Sequence, residues 1–161
     1  MKQLMKRVEV NDPVALSHVG NEKCDEGDHN SAFQYYTKAA ASGYAWAHYQ
    51  LSILYREGQG VVKDEKKFLH HSEQAAIGGH PLARHNLGCM EGQHGRVDRA
   101  VKHFIIASKL GFEKSIEAIK ILYKAGHVSK EDFDTALRGY QTAINATKSS
   151  QRKEAYDYFA H

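Results

Sequence analysis

With 161 residues the chain has the length of one domain, enough for folding to bury roughly two-thirds of the surface that an unfolded chain exposes. Hydrophobic residues make up 42% and charged ones 25%, and no apolar run is long enough to suggest a membrane span. A net charge of +3 is too mild to imply nucleic acid without a clustered patch, and two cysteines, Cys24 and Cys89, are too few for a disulfide scaffold and suggest a reducing compartment.

Residues 1–11 form a basic lead, Met1 to Arg7 running straight into Val8-Glu9-Val10-Asn11, without the apolar centre of a secretory signal. From Asp12 the chain repeats. The segments Ala39-Ala40-Ala41-Ser42-Gly43, Ala75-Ala76-Ile77-Gly78-Gly79 and Ala107-Ser108-Lys109-Leu110-Gly111 superpose at offsets of 36 and then 32 residues. The same offsets carry Ala47 to Ala83 to Ser115, Leu51 to Leu87 to Ile119, and Tyr36 to Ser72 to Phe104. Read backwards, Ala15, Val19 and Gly20 take the slots of Ala47, Leu51 and Ser52, so a first repeat begins at Asp12.

Four repeats follow, over 12–43, 44–79, 80–111 and 112–145. In the second, Ala47, Leu51, Leu54 and Tyr55 recur at helical spacing and share one face, and Gly58 and Gly60 end the helix. A second helix from about Asp64 carries Phe68, Leu69, Ser72, Ala75 and Ala76 and closes at Gly78-Gly79. Each repeat therefore reads as a helical hairpin, with the glycines as punctuation. Pro13 and Pro81 fall in the first turn of a leading helix, where a missing N–H costs nothing. Ser129-Lys130-Glu131-Asp132 is a capping signal for the last repeat's second helix. Beyond Asn145, a separate capping helix is expected over 146–161, with Ala155, Tyr158 and Phe159 at helical spacing. Hairpins this short cannot bury an apolar face alone, so neighbours stack and share a core. The expected fold is all-α: an α-solenoid of about four helix-turn-helix repeats plus that helix.

Repeat two carries a family resemblance. Ala47-x3-Leu51-Ser52-x2-Tyr55-x2-Gly58-x-Gly60-Val61-x2-Asp64, followed by Ala75-Ala76-x2-Gly79, resembles the pattern of Sel-one-like repeat (SLR) proteins, relatives of the tetratricopeptide repeats. The other repeats have shorter turns, such as Glu26-Gly27-Asp28, which look more like tetratricopeptides. The resemblance implies a right-handed solenoid that scaffolds partner proteins on the concave face lined by leading helices. Some members are joined to zinc modules of ubiquitin ligases; this chain has no Cys-x2-Cys pair for one.

On that face, three slots per repeat give Ser17, Asn21 and Cys24; Tyr49, Ile53 and Arg56; His85, Cys89 and Gly92; and Glu117, Ile121 and Lys124. Trp46, the single tryptophan, precedes Ile53, and Trp, Tyr and Arg are the usual anchors of an interface. We take Trp46, Tyr49, Ile53, Arg56, His85 and Lys124 as the partner-binding set, for an extended or helical peptide or protein. The alternative for Trp46 is packing between repeats. A clamp for a C-terminal carboxylate is not expected, because Ser17 stands where such domains place a lysine, although Asn21 remains.

Eleven histidines invite a metal or redox reading. His71 and His103 occupy equivalent slots of neighbouring repeats, His70 adjoins them, and Cys89 lies one turn from His85. Neither His70-His71 nor His80 to His85 has the paired i, i+4 spacing of a zinc helix, and although Cys89 and His85 do have it, no elbow, oxyanion loop or third orienting residue accompanies Cys89. No catalytic residue, metal set or cofactor is expected. The basic residues Lys63, Lys66 and Lys67 alternate with acids, and Arg84, Arg96, Arg99 and Lys102 spread over several faces, so neither nucleic acid nor membrane is an expected partner. Self-association through Tyr156, Tyr158 and Phe159 of the terminal helix is a further alternative. The expected location is cytoplasmic, with the nucleus open.

Overall fold

A computed structural model describes residues 2–159, and the side chains of these apart from 152 and 155–159. The described residues form helices α1 (Lys2–Glu9), α2 (Pro13–Asp25), α3 (His29–Ala40), α4 (Ala45–Glu57), α5 (Glu65–Ile77), α6 (Pro81–Gln93), α7 (Val97–Lys109), α8 (Glu113–Lys124) and α9 (Lys130–Phe159). Together they make an all-α solenoid of hairpins, α2 with α3, α4 with α5 and α6 with α7, trailed by α8 and α9 as a capping pair. The fold divides into two compact units, one up to Ala83 and one from Arg84.

Local chemistry starts these helices where the sequence places them. Asp12 precedes Pro13 and caps α2, its Oδ1 accepting the amides of Val14 and Ala15 at 3.0 and 2.9 Å. Its Oδ2 accepts Arg7 Nε and Nη2 at 3.1 and 3.0 Å, which ties α1 to the same cap. Asp28 and Asp64 cap α3 and α5 in the same manner through the amides of Ser31 and Lys67. The Ser129 Oγ accepts the Asp132 amide at 3.1 Å and opens α9.

In the first unit the core gathers Leu16, Ala32, Tyr36, Ala39, Ala40, Ala47, Leu51 and Leu54. In the second it gathers Ala100, Val101, Phe104, Ile116, Ile119, Val128 and Ala136. The face expected of α4 is buried as drawn, Ala47, Leu51, Leu54 and Tyr55 all being core. On α5 only Ser72, Ala75 and Ala76 are fully buried, while Phe68 and Leu69 are half-buried.

Glycine does two jobs where turns alone were expected. Eight glycines have positive φ and end helices or turns. Gly60 shows why one is needed: its φ is 69°, and a Cβ there would meet the His29 carbonyl oxygen at 2.5 Å. Gly20 and Gly88 are instead mid-helix. A Cβ on Gly20 would lie 2.5 Å from Tyr36 Cε1, and one on Gly88 would lie 2.7 Å from Phe104 Cε1, so each glycine admits the aromatic ring of the trailing helix.

The separate helix expected over 146–161 does not form. Instead α9 runs for 30 residues from Lys130, through the boundary expected at Asn145, to Phe159. The stretch Ala143-Ile144-Asn145-Ala146-Thr147-Lys148 contains neither glycine nor proline, so nothing in it stops a helix.

Candidate functional site

The surface singled out in the sequence is carried by α4. Trp46, Tyr49, Ile53 and Arg56 follow at intervals of three, four and three residues, one face of a helix. Trp46 is 38% exposed; Tyr49 and Ile53 are half-buried and Arg56 is exposed. Tyr49 does not stand alone. The His80 ring stacks on it with centroids 4.3 Å apart and planes 15° apart, and Trp46 lies 5.5 Å from His80 and 6.1 Å from Tyr49. His80 is fixed in turn because its Nδ1 accepts the Ala83 amide at 3.2 Å, an N-cap for α6 just before Pro81. Burial lowers the pKa of His80, in keeping with a lone pair in use.

At the other end of α4, Arg56 Nε donates to Glu57 Oε1 at 2.9 Å, and its guanidinium lies 5.8 Å from the centre of the Phe68 ring. With Tyr55, Lys63, Asp64, Glu65 and Phe68 it lines a cavity of about 290 Å³. Trp46 and Arg56 are ten residues apart, roughly 15 Å along the helix. That length suits a short peptide segment better than one side chain.

In the first repeat one slot is buried and a second is engaged within the fold. Ser17 is 3% exposed, and Asn21 Oδ1 accepts the Tyr36 hydroxyl at 2.8 Å and Gln50 Nε2 at 3.3 Å. Asn21 is therefore committed to a buried network, and burial raises the Tyr36 phenol pKa above its ordinary value.

The remaining members of the set lie in the second unit. Lys124 is exposed at the end of α8. His85 is half-buried against Phe104 and Phe112, with centroids at 5.3 and 5.0 Å. Its Nδ1 lies 2.8 Å from Ser115 Oγ, and its Nε2 lies 3.5 Å from Cys89 Sγ. The third residue missing from the sequence reading thus exists, yet the electrostatics oppose a nucleophile. Burial raises the Cys89 thiol pKa and lowers that of His85, so the pair rests as neutral thiol and neutral imidazole.

The histidine partner of His71 is one the sequence did not suggest. His71 Nδ1 meets His48 Nδ1 at 3.0 Å within the α4–α5 hairpin, and its ring stacks on Tyr55 at 5.6 Å and 7°. Burial, then His48, His70 and Lys67, lower its pKa to about 4. His48 is lowered by burial and then by His70, and it also reaches the Ala40 carbonyl. These rings border a cavity of about 310 Å³ with Phe33, Thr37, Ala40, Ala41 and Leu51. Only the side-by-side packing of α4 and α5 creates the pair, and no spacing in the sequence signals it. Among the described residues no three His, Cys, Asp or Glu converge as a metal set.

Of the basic flank, Arg96 and Arg99 both bond to Glu91, the second at 3.5 Å, and the Arg96 bond is what chiefly lowers the Glu91 pKa. They brace the α6–α7 turn rather than line a stripe for phosphate. Among the described residues no helix is long and apolar enough to cross a membrane. Tyr156, Tyr158 and Phe159, the residues suggested for self-association, lie outside the described side chains.

A family model, the Sel1 repeat, matches residues 20–44, 47–80 and 81–112. The chain belongs to the Sel1 repeat family. Helices α8 and α9 follow the last of these matches. This Sel1 repeat chain is 27% identical over 170 aligned residues to mouse DAP3-binding cell death enhancer 1, covering 81% of the chain and 33% of the relative. It is 39% identical over 66 residues to cytochrome c oxidase assembly factor 7 of Xenopus tropicalis, covering 40% of the chain and 29% of the relative. It spans no more than about a third of these relatives. Among solved structures it is similar to a Sel1 repeat protein from Oxalobacter formigenes, with TM-score 0.65, 26% identity, and 84% and 59% of the two chains covered. It is also similar to c5321, a protective antigen of uropathogenic Escherichia coli with an SLR fold, with TM-score 0.67, 28% identity, and 90% and 33% covered. Its fold is the Sel1 and tetratricopeptide-like repeat solenoid, the architecture of a protein-interaction module.

Proposed function

We propose that the partner is a protein or peptide segment that docks along α4 of the first unit on Trp46, Tyr49, Ile53 and Arg56; His85 and Lys124 are proposed as partner contacts of the second unit, taken by itself. The carrying observation is the exposed Trp46 ring beside a Tyr49 already stacked on His80. A large aromatic surface ordered before binding loses little side-chain entropy when it binds. The mouse relative is named for binding another protein, DAP3, which favours a protein over a small molecule as the ligand. The two free thiols support a reducing, cytoplasmic setting for this role.

The test is affinity capture with the native chain and with Trp46→Ala/Tyr49→Ala/Arg56→Ala. Proteins retained by the native chain are expected to be lost from the triple variant while its circular dichroism stays helical. Equal recovery by both refutes the assignment of the α4 surface.

A further inference from the structure

We propose that His80 is a proton-operated clip on the Trp46–Tyr49 surface, holding it ordered when neutral and releasing it when protonated. The inference rests on the reading of Trp46 and Tyr49 as the binding surface and adds a control to it.

The geometry assigns the roles. His80 Nδ1 accepts the Ala83 amide, so the neutral ring carries its proton on Nε2. With the edge of the ring held by α6 and its face held by Tyr49, its orientation is set from two sides, and Trp46 packs beside both rings. The backbone of the same residue is anchored too, its amide donating to the Ala75 carbonyl at 2.9 Å.

Protonation at Nδ1 turns an acceptor into a donor. Two N–H groups then face each other across 3.2 Å, and a positive charge sits at the N-terminus of α6, the positive end of its dipole. The groups facing the ring are the Trp46 and Tyr49 rings from α4 and the Ala83 amide from α6, while α5 touches the residue only through its backbone, at the Ala75 carbonyl. None of these is an acid that would hold the added proton. The Tyr49 face offers a cation some attraction, but the same ring motion that relieves the clash with Ala83 takes the imidazolium off that face. Burial works in the same direction, lowering the pKa from 6.5.

Trp46 is the single tryptophan, so its emission reports on this cluster alone. We expect titration of the full chain from about pH 8 to about pH 4.5, across the histidine range, to show a transition in Trp46 emission. Its midpoint should lie below 6.5, with far-UV circular dichroism unchanged through it. His80→Asn keeps a side-chain acceptor for the cap without a titrating ring, and should abolish the transition; His71→Asn should leave it in place. No transition, or the same transition in His80→Asn, overturns the proposal. Should that variant not fold, nuclear magnetic resonance on the native chain decides instead. The His80 ring signals and the Ala83 amide are expected to shift with one shared midpoint, and an Ala83 amide blind to the His80 titration overturns it. All of these readings are of the free chain, so failure here is separate from failure of the capture experiment.

Discussion

The hairpins solve one packing problem in two ways. In α2–α3 and α6–α7 a glycine on the leading helix faces an aromatic ring on the trailing helix, Gly20 with Tyr36 and Gly88 with Phe104. In α4–α5 the same two slots hold Ser52 and Ser72, both buried, at 2% and 5% exposure. One pair puts all the volume on one side of the contact, and the other divides it. The aromatic bulk in α4–α5 moves outward instead, to Tyr55, which receives Phe33 edge-on at 5.7 Å and His71 face-on at 5.6 Å. That ring also stacks on the imidazole of His71, a titratable group.

The most forceful way to break this comparison is to remove a ring. Tyr36→Ala should cost about 3–5 kcal/mol, as expected for an aromatic deletion in a core that cannot collapse onto a missing Cβ. It also strips the Asn21 and Gln50 side chains of the phenol oxygen they share. Ser72→Ala, at the equivalent slot, should cost less than about 1 kcal/mol, the worth of one modest polar contact. Urea unfolding followed by circular dichroism compares the two, and equal losses would mean that the slots are not equivalent.

Acid should separate the hairpins next. The His71 pKa is lowered from 6.5 to about 4, so as pH falls through that window the unfolded chain takes up a proton that the folded hairpin refuses. Stability from this ring is complete above 6.5 and drains away toward pH 4, by about 2–3 kcal/mol after allowance for its partial exposure. Segment-resolved hydrogen exchange, corrected for the intrinsic effect of pH, should show α4–α5 opening more readily at pH 5 than at pH 7, and His71→Phe should remove most of that change. Unaltered protection in α4–α5 would show that the His48–His71 contact tolerates the proton.

How much of this was legible in sequence follows from the range of each interaction. Caps and prolines act within four residues, so Asp12, Pro13, Pro81 and Ser129 announced their helices directly. The repeat register was also readable, because Tyr36, Ser72 and Phe104 fall at fixed offsets. Gly20 was in the same alignment, in the mid-helix slot of Ser52, but a register shows which positions match and not what faces them, so the space that Gly20 and Gly88 leave for a ring went unread. The end of α9 was misplaced because repeat length, not a stop residue, was used to draw it. His48 with His71, and His80 with Tyr49, were beyond reach, since both pairs arise only where side chains distant in sequence meet laterally, helix to helix in the first and turn to helix in the second. Helical spacing gathered Trp46, Tyr49, Ile53 and Arg56 on one face, but periodicity could not disclose that in the equivalent slots of α2 Ser17 is buried and Asn21 is hydrogen-bonded to Tyr36 and Gln50.

Alanine at the glycine slots is a finer test. Gly20→Ala and Gly88→Ala each push a Cβ to within 2.5 and 2.7 Å of a buried ring atom, and each should cost about 1–3 kcal/mol by overpacking. This is despite a gain of up to about 1 kcal/mol in helix propensity from the same exchange. Trimming the ring should recover part of the loss, so Gly88→Ala combined with Phe104→Leu is expected to be less destabilised than the sum of the two single changes, read as the coupling in a double-mutant cycle.

The smallest effect sharpens the comparison most, because it asks for alanine at the same slot and expects nothing. Ser52 already carries a Cβ that the α4–α5 contact accommodates, and its hydroxyl donates to the Tyr49 carbonyl of its own helix at 2.6 Å. Removing that hydroxyl leaves the carbonyl with its helical partner, and alanine is the better helix former by a few tenths of a kcal/mol. Ser52→Ala should therefore unfold within about 0.5 kcal/mol of the native chain. The three alanine variants converge on one residue at one repeat position yet should differ in cost. If Ser52→Ala proved as damaging as Gly88→Ala, the hydroxyl contact rather than the shared volume would govern the slot. If Gly88→Ala proved as harmless as Ser52→Ala, the close approach of Phe104 would not be the reason that glycine occupies it.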